Sequence, residues 1–251
     1  MAKIISIHSF RGGTGKSNTT ANLATMLAAE GRRVGVVDTD IQSPGIHVLF
    51  GMDETEISNS LNTYLWGKCP IEQTAYDVTA RLGATVQGRV FLIPSSIKAG
   101  EISRVVRDGY DVNMLNDGFY ALIKALRLDV LLIDTHPGLS EDTLLSVAVS
   151  DALGILLRPD QQDYQGTGVT VQVARKLDVP RMVLIVNKAP PEMEPASLSA
   201  QIAQTYGCEV AGVLHHSDEM MRLASSGIFA LRYPDHPITA TLRRIAARLV
   251  A

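Results

Sequence analysis

Two cysteines in 251 residues, Cys69 and Cys208, are too few and too far apart for a disulfide framework or a CxxC pair. Such sparing use fits two idle thiols in a reducing cytosol, and a cytoplasmic location is expected. Aromatic residues make up only 5% of the chain, so Ala, Val, Leu and Ile do most of the apolar work. That bias suits an α/β protein with buried parallel strands. An excess of basic charge is lacking too: Lys and Arg number 23 against 26 Asp and Glu, a net charge of −3. Binding to DNA or to a membrane would have to come from a local patch. No apolar run is long enough to span a bilayer. Met-Ala-Lys enters a strand pattern at once, without the charged and apolar regions of a signal peptide. Internal repeats, low-complexity stretches and obvious linkers are missing, and one domain over 1–251 is expected.

Short apolar runs recur along the whole length, at residues 4–7, 34–37, 90–93, 130–133, 153–157, 182–186 and 210–214. None alternates cleanly with polar residues, which indicates strands covered on both faces. Segments of helical spacing lie between them. Leu23, Met26 and Leu27 share a face, as do Val169, Val173 and Leu177, and later Leu242, Ile245 and Leu249. Alternating strand and helix predict a doubly wound, mostly parallel sheet flanked by helices. The proline-rich stretch 189–195 reads as a loop before a helix. Ligands of such sheets sit beyond the carboxyl ends of the strands, so the residues there carry the chemistry.

After the first run comes His8-Ser9-Phe10-Arg11-Gly12-Gly13-Thr14-Gly15-Lys16-Ser17-Asn18. Gly12, Gly13 and Gly15 let backbone N–H groups, Thr14 among them, turn inward around phosphate oxygens. Lys16 supplies a point charge for the β- and γ-phosphates, and the Ser17 hydroxyl can ligate Mg²⁺. The helix starting near Ser17 and Asn18 points its positive end at the same anion. The chain therefore binds a nucleoside triphosphate with Mg²⁺. The second run ends Val37-Asp38-Thr39-Asp40, and the fourth ends Ile133-Asp134-Thr135-His136-Pro137-Gly138. An Asp after four apolar residues suits a water-mediated or direct hold on Mg²⁺. The sixth ends Val186-Asn187-Lys188-Ala189-Pro190. A guanine site would need an acid where Pro190 stands, whereas Asn187 can pair with adenine, so ATP is favoured over GTP. His136 is assigned no role. The pair His215-His216 lacks a third metal ligand.

Phe10 occupies the place of the first glycine of an ordinary G-x-x-x-x-G-K-[ST] loop. What remains, Arg11-Gly12-Gly13-Thr14-Gly15-Lys16-Ser17, resembles the deviant Walker A box K-G-G-x-G-K-[ST] of the MinD/ParA family of ATPases. Asp38 and Asp40 match that family's D-x-D switch I, and residues 134–138 its D-T-x-P-G switch II. The resemblance runs from the first strand to the final helix. It implies an ATP-dependent homodimer that hydrolyses ATP and works with a protein partner. By the same resemblance Asp40 positions the attacking water, Asp38, Asp134 and Ser17 lie around Mg²⁺, and Asn187 meets the adenine. Arg11 stands where the family carries the signature lysine that reaches the partner subunit's nucleotide. Arginine keeps the charge and adds a forked donor array, so Arg11 joins Lys16 and Asp40 as a candidate catalytic group. The alternative is a solvated or phosphate-screening charge. His215 departs from the proline that relatives place beside the adenine.

Relatives that carry iron–sulfur clusters do so with cysteines, and Cys69 with Cys208 do not supply the needed set. Residues 220–251 hold Arg222, Arg232, Arg243, Arg244 and Arg248 against Asp235 alone. ParA-like proteins bind nonspecific DNA through such residues, although a solvated helix face is the plainer explanation. The last helix is expected to pack on the sheet rather than to target a membrane. Three functions stay open. They are a dimerising ATPase switch that positions or regulates a cargo or assembly, a small-molecule ligase of the dethiobiotin synthetase or cobyrinate type, and a nucleotide-binding scaffold with negligible turnover.

Overall fold

Each of the seven apolar runs forms a strand in the computed structural model, which describes residues 2–83 and 86–251. The strands are β1 (Lys3–His8), β2 (Arg33–Asp38), β3 (Tyr76–Asp77), β4 (Arg89–Ile93), β5 (Val130–Asp134), β6 (Ala152–Leu157), β7 (Met182–Ala189) and β8 (Glu209–His215). They form one sheet in the order β3-β4-β2-β5-β1-β6-β7-β8. All neighbours are parallel except β3 and β4. The two-residue β3 has no apolar run to announce it, and its antiparallel pairing closes one edge.

The helices are α1 (Lys16–Ala29), α2 (Ile46–Leu49), α3 (Leu61–Leu65), α4 (Ala99–Asp108), α5 (Asn113–Leu126), α6 (Glu141–Ala148), α7 (Gln161–Lys176), α8 (Pro195–Tyr206), α9 (Asp218–Leu223), α10 (Phe229–Arg232) and α11 (Pro237–Val250). Successive strand side chains point to opposite faces. Ile5, Ile7, Val34, Val36 and Leu132 pack with α1 and α11 on one side. Ile4, Val37, Leu131 and Ile133 pack with α3 and α5 on the other. Leu153, Ile155 and Leu184 meet α7 and α8 on that second face. Both faces are covered, which is why the runs do not alternate with polar residues.

The helical faces read from sequence hold at two places and fail at one. Leu23, Met26 and Leu27 of α1 are buried, and so are Leu242, Ile245 and Leu249 of α11, which packs on α1 and β8. In α7 the buried face is Gly166, Thr167, Thr170, Val171 and Ala174, and Val169 is exposed. Small residues and threonines let this helix approach the sheet closely, so its apolar side chains do not mark the inward face. No helix among the described residues is long and apolar enough to cross a membrane.

Candidate functional site

Between β1 and α1 the chain turns through Gly13 (φ +77°) and Gly15 (φ +93°), conformations that disfavour a side chain. At Gly15 space forbids one too: a Cβ would lie 2.4 Å from Asn187 Nδ2. Gly15 caps α1 without a side-chain hydrogen bond, and the first turn holds no acid. Its free N–H groups face a cleft of about 320 Å³ lined by the loop residues 12–18, Asp40, Ser43, Gly45 and Pro137. A helix start opening on such a cleft has the free donors and dipole that suit an anion.

β7 buttresses the loop. Its pairing with β8 is irregular between Val186 and Ala189, and Lys188 is left-handed at φ +56°. The bulge lets neighbouring side chains turn the same way, where a regular strand would send them apart. Asn187 Nδ2 donates to Thr14 O at 2.7 Å and Lys188 Nζ to Gly13 O at 2.8 Å. Asn187 also lines an adjoining cavity with Gly15, Asn18, His215, Met220 and Met221. His215 donates from Nδ1 toward the carbonyls of Ala189 and Pro190, at 3.3 and 3.2 Å.

Behind the loop, β2 and β5 end in register, Asp38 opposite Asp134. Lys16 Nζ lies 3.0 Å from Asp134 Oδ1 and 3.9 Å from Asp40 Oδ2. Thr20, one turn after Lys16, donates to the same Asp134 oxygen at 3.0 Å. Asp38 shapes the following loop by accepting from the N–H groups of Asp40 and Gly45. Its pKa is pushed up to about 8 by burial and by Asp134, against the pull of Lys16. Asp40 is shifted upward as well, again chiefly by burial. Three carboxylates thus share one ammonium. Asp134 Oδ2 is buried with no partner, as are Thr14 Oγ1, His8 Nε2 and His136 Nδ1. An under-neutralised acidic cluster beneath an anion cleft fits Mg²⁺ arriving with phosphates. Ser17 lines the cleft, while Asp38 and Asp134 lie beneath it.

Arg11 points away from the cleft. Its Nη1 lies 3.4 Å from Asp160 and 3.3 Å from the buried Asp163, at the start of α7. Arg158 shares both carboxylates. Phe10 rests on the same helix, its ring filling the space a Cβ at Gly166 would need. Lys188, Thr20 and His136 were missed by sequence reasoning. The i, i+4 spacing of Lys16 and Thr20 could have flagged the threonine. The bulge that aims Lys188 has no sequence signal.

Cys69 precedes the β3 edge of the sheet and Cys208 the β8 edge. Among the described residues no group of three or more His, Cys, Asp or Glu could hold a metal ion by itself.

The family model described as ParA, NUBPL iron-transfer P-loop NTPase, matches residues 1–250. An uncharacterized ATP-binding protein of Methanocaldococcus jannaschii is 26% identical over 253 residues, covering 100% of this chain and 88% of its own. An iron-sulfur cluster carrier protein of Pseudomonas fragi is 27% identical over 255 residues, covering 97% and 83%. The solved structure of the septum site-determining protein MinD of Pyrococcus horikoshii, complexed with Mg-ADP, superposes with a TM-score of 0.80 at 22% identity. It covers 99% of this chain and 96% of that one.

Proposed function

The chain belongs to the ParA family of P-loop NTPases, and on that premise we propose that it is a Mg-ATP-dependent switch that dimerises around its nucleotide and hydrolyses it. The observation that carries this reading is the cleft between loop 12–18 and Asp40, with Lys16 at its floor against Asp134. Backbone N–H groups of Gly12, Gly13, Thr14 and Gly15, with Ser17 and Asn18 at the start of α1, cradle the phosphates. Ser17, Asp38 and Asp134 hold Mg²⁺, directly or through water. When bound, the ion neutralises charge on the phosphates. Asn187 faces the adenine side.

Asp40 orients the attacking water. The water oxygen bonds to the γ-phosphorus as the bond to the β–γ bridging oxygen breaks. ADP leaves with that electron pair, phosphate is released, and one proton passes to solvent. Arg11 leaves Asp160 and Asp163 to reach the γ-phosphate in a second copy, while Arg158 stays paired with both acids. ATP-bound dimer and ADP-bound monomer are the two states that a protein partner or a DNA surface reads, to position or regulate a cargo.

Several relatives are named iron-sulfur cluster carrier proteins, and another a cytosolic Fe-S cluster assembly factor. A thiolate-held cluster needs cysteines that meet, and Cys69 and Cys208 flank opposite edges of the sheet. The residues of this chain therefore favour the nucleotide switch over cluster carriage. Arg11 in the signature position favours the switch over a small-molecule ligase. Sizing chromatography with ATP, ADP and a slowly hydrolysed analogue, beside turnover of the native protein and Asp40→Ala, tests the reading. An ATP-dependent dimer that persists when Asp40 is lost supports it. A constant monomer whose turnover rises with a small carboxylate substrate overturns it.

A further inference from the structure

Asp40 presents its two carboxylate oxygens to two different groups. Oδ2 lies 3.9 Å from Lys16 Nζ, and Oδ1 lies 3.8 Å from His136 Nε2. The imidazole belongs to the loop after β5, the carboxylate to the loop after β2. These are the two segments expected to respond to the γ-phosphate. His136 does not line the cleft, whereas Asp40 does. Any effect of the imidazole on bound nucleotide therefore passes through Asp40.

The backbone around His136 is held on both sides. Its carbonyl accepts from Thr143 Oγ1 at 3.2 Å, which ties it to α6. Pro137 restricts residue 136 to extended conformations. Gly138 N donates to Ser9 O at 3.2 Å, which ties the loop to the phosphate loop. The imidazole is three-quarters buried and its Nδ1 has no partner. A polar ring held in this way without using its own hydrogen-bonding capacity is oriented for something else, and the carboxylate within 4 Å of it is that of Asp40. Among the described residues the hydrogen bonds of Asp40 come from its own short loop, its N–H donating to Asp38 and its Oδ1 accepting from Ser43 N at 3.3 Å.

We propose that His136 is a positioning residue for ATP hydrolysis: its Nε2–H donates to Asp40 Oδ1 when nucleotide is bound and fixes the carboxylate for the attacking water. Closing 3.8 Å to a hydrogen bond needs a shift of about 1 Å. Contacts of this kind are commonly long without substrate and tighten with it. His136 thereby couples the loop after β5 to the loop after β2, so that both must be in place before water is aligned. This inference rests on the ATPase reading above.

The test is a double-mutant cycle on turnover in the full chain. His136→Leu keeps the bulk and removes the donor, His136→Gln returns a donor at similar reach, and Asp40→Asn removes the acceptor's charge. The expected result is a kcat lower by roughly 10-fold in His136→Leu, with ATP affinity within about twofold of native. His136→Gln recovers most of the rate. Adding His136→Leu to Asp40→Asn costs nothing further. Should the leucine variant fail to fold, His136→Gln against His136→Asn makes the same comparison, because the shorter amide does not reach Asp40. Native turnover that is unchanged in His136→Leu, losses that add to Asp40→Asn, or a glutamine no better than leucine would each overturn the role of His136 alone. No native turnover above that of Lys16→Ala overturns the ATPase reading with it.

Discussion

Asp38 and Asp134 face each other as register partners at the ends of β2 and β5, and Lys16 touches only the second of them. Two neighbouring parallel strands that both end in aspartate bring like charges together in a buried place. Burial and the Asp134 charge raise the pKa of Asp38 to about 8, which favours its neutral form without nucleotide.

The pH dependence of stability follows. The pKa of Asp38 is raised from 3.8 to about 8, so folding takes up a proton between those values and stability falls as pH rises through that window. The pKa of His8 is lowered from 6.5 to about 3, chiefly by burial, so its contribution falls as pH drops below 6.5. The upward shift of Asp40 acts in the same sense as that of Asp38; both oppose the His8 slope from about pH 4 to 6.5, above which the His8 slope is gone. Urea unfolding without nucleotide should show stability declining from pH 6.5 to 8, by up to about 1.4 kcal/mol per pH unit for each raised carboxylate that titrates there. Asp38→Asn should flatten the decline. A native protein that gains stability over that range would contradict the charge arrangement.

Gly15→Ala is expected to abolish nucleotide binding. The substitution meets a left-handed φ and the Asn187 amide together, and the backbone alone costs about 1–2 kcal/mol. Adding Asn187→Ala relieves the collision but not the φ, and it also frees Thr14 O. The double variant should regain part of the melting temperature and none of the ATP affinity, as read by calorimetry. Full recovery of binding would show that the clash alone matters.

Arg11→Lys restores the family's residue and shortens the reach to Asp160 and Asp163. The Arg11 pairs are partly exposed, so the fold should lose under about 1 kcal/mol. With the cis contact weakened and the cation kept, the ATP concentration for half-maximal dimerisation should fall and kcat should rise a few-fold. Arg11→Ala should bind ATP yet stay monomeric. Analytical ultracentrifugation separates the cases, and an alanine variant that dimerises normally refutes a trans role.

Removing both thiols should leave the ATPase intact. Cys208 is buried and Cys69 half-buried, and burial raises both thiol pKa values. Cys69→Ser with Cys208→Ser should match native turnover. Anaerobic incubation of the native protein with iron and sulfide should give no thiolate-to-iron absorption. A stoichiometric cluster would move the protein toward the carriers among its relatives.

The sequence made the strands legible because parallel strands covered on both faces leave continuous apolar runs, although residues 119–123 in α5 and 228–231 at α10 carry similar runs. It made Gly15, Lys16, Asp38, Asp40 and Asp134 legible because each follows such a run. Two things stayed hidden for physical reasons. The inward face of α7 combines Val171 and Ala174 with Gly166, Thr167 and Thr170, and hydropathy does not score the last three as core. The partners of Arg11 and Asp40, which are Asp163 and His136, come from distant segments that only the crossover connections bring together. Phe10 is a related case. Its departure from the glycine pattern is plain in the sequence, but the reason, a ring lying on Gly166, needs the α7 contact.

The five C-terminal arginines separate once their partners are known. Arg248 pairs with Glu209 at 2.8 Å and Arg222 with Asp218 at 3.9 Å. Arg244 donates to the Thr241 hydroxyl. Among the described residues Arg232, Arg243 and Arg244 have no carboxylate partner, and all five are exposed. A phosphate backbone competes poorly for an arginine already held by an acid and freely for one that is not. If the ATP dimer binds DNA, Arg243→Ala and Arg232→Ala should each weaken it at every sequence and lower the slope of log affinity against log salt by about 1. Arg248→Ala should do less, because Glu209 already holds that guanidinium. Fluorescence anisotropy with nonspecific duplex across a salt series, with ATP and with ADP, reads both quantities. Equal binding in the two nucleotides, or a larger loss from Arg248 than from Arg243, would place the contact elsewhere and return these arginines to the role of a solvated helix face.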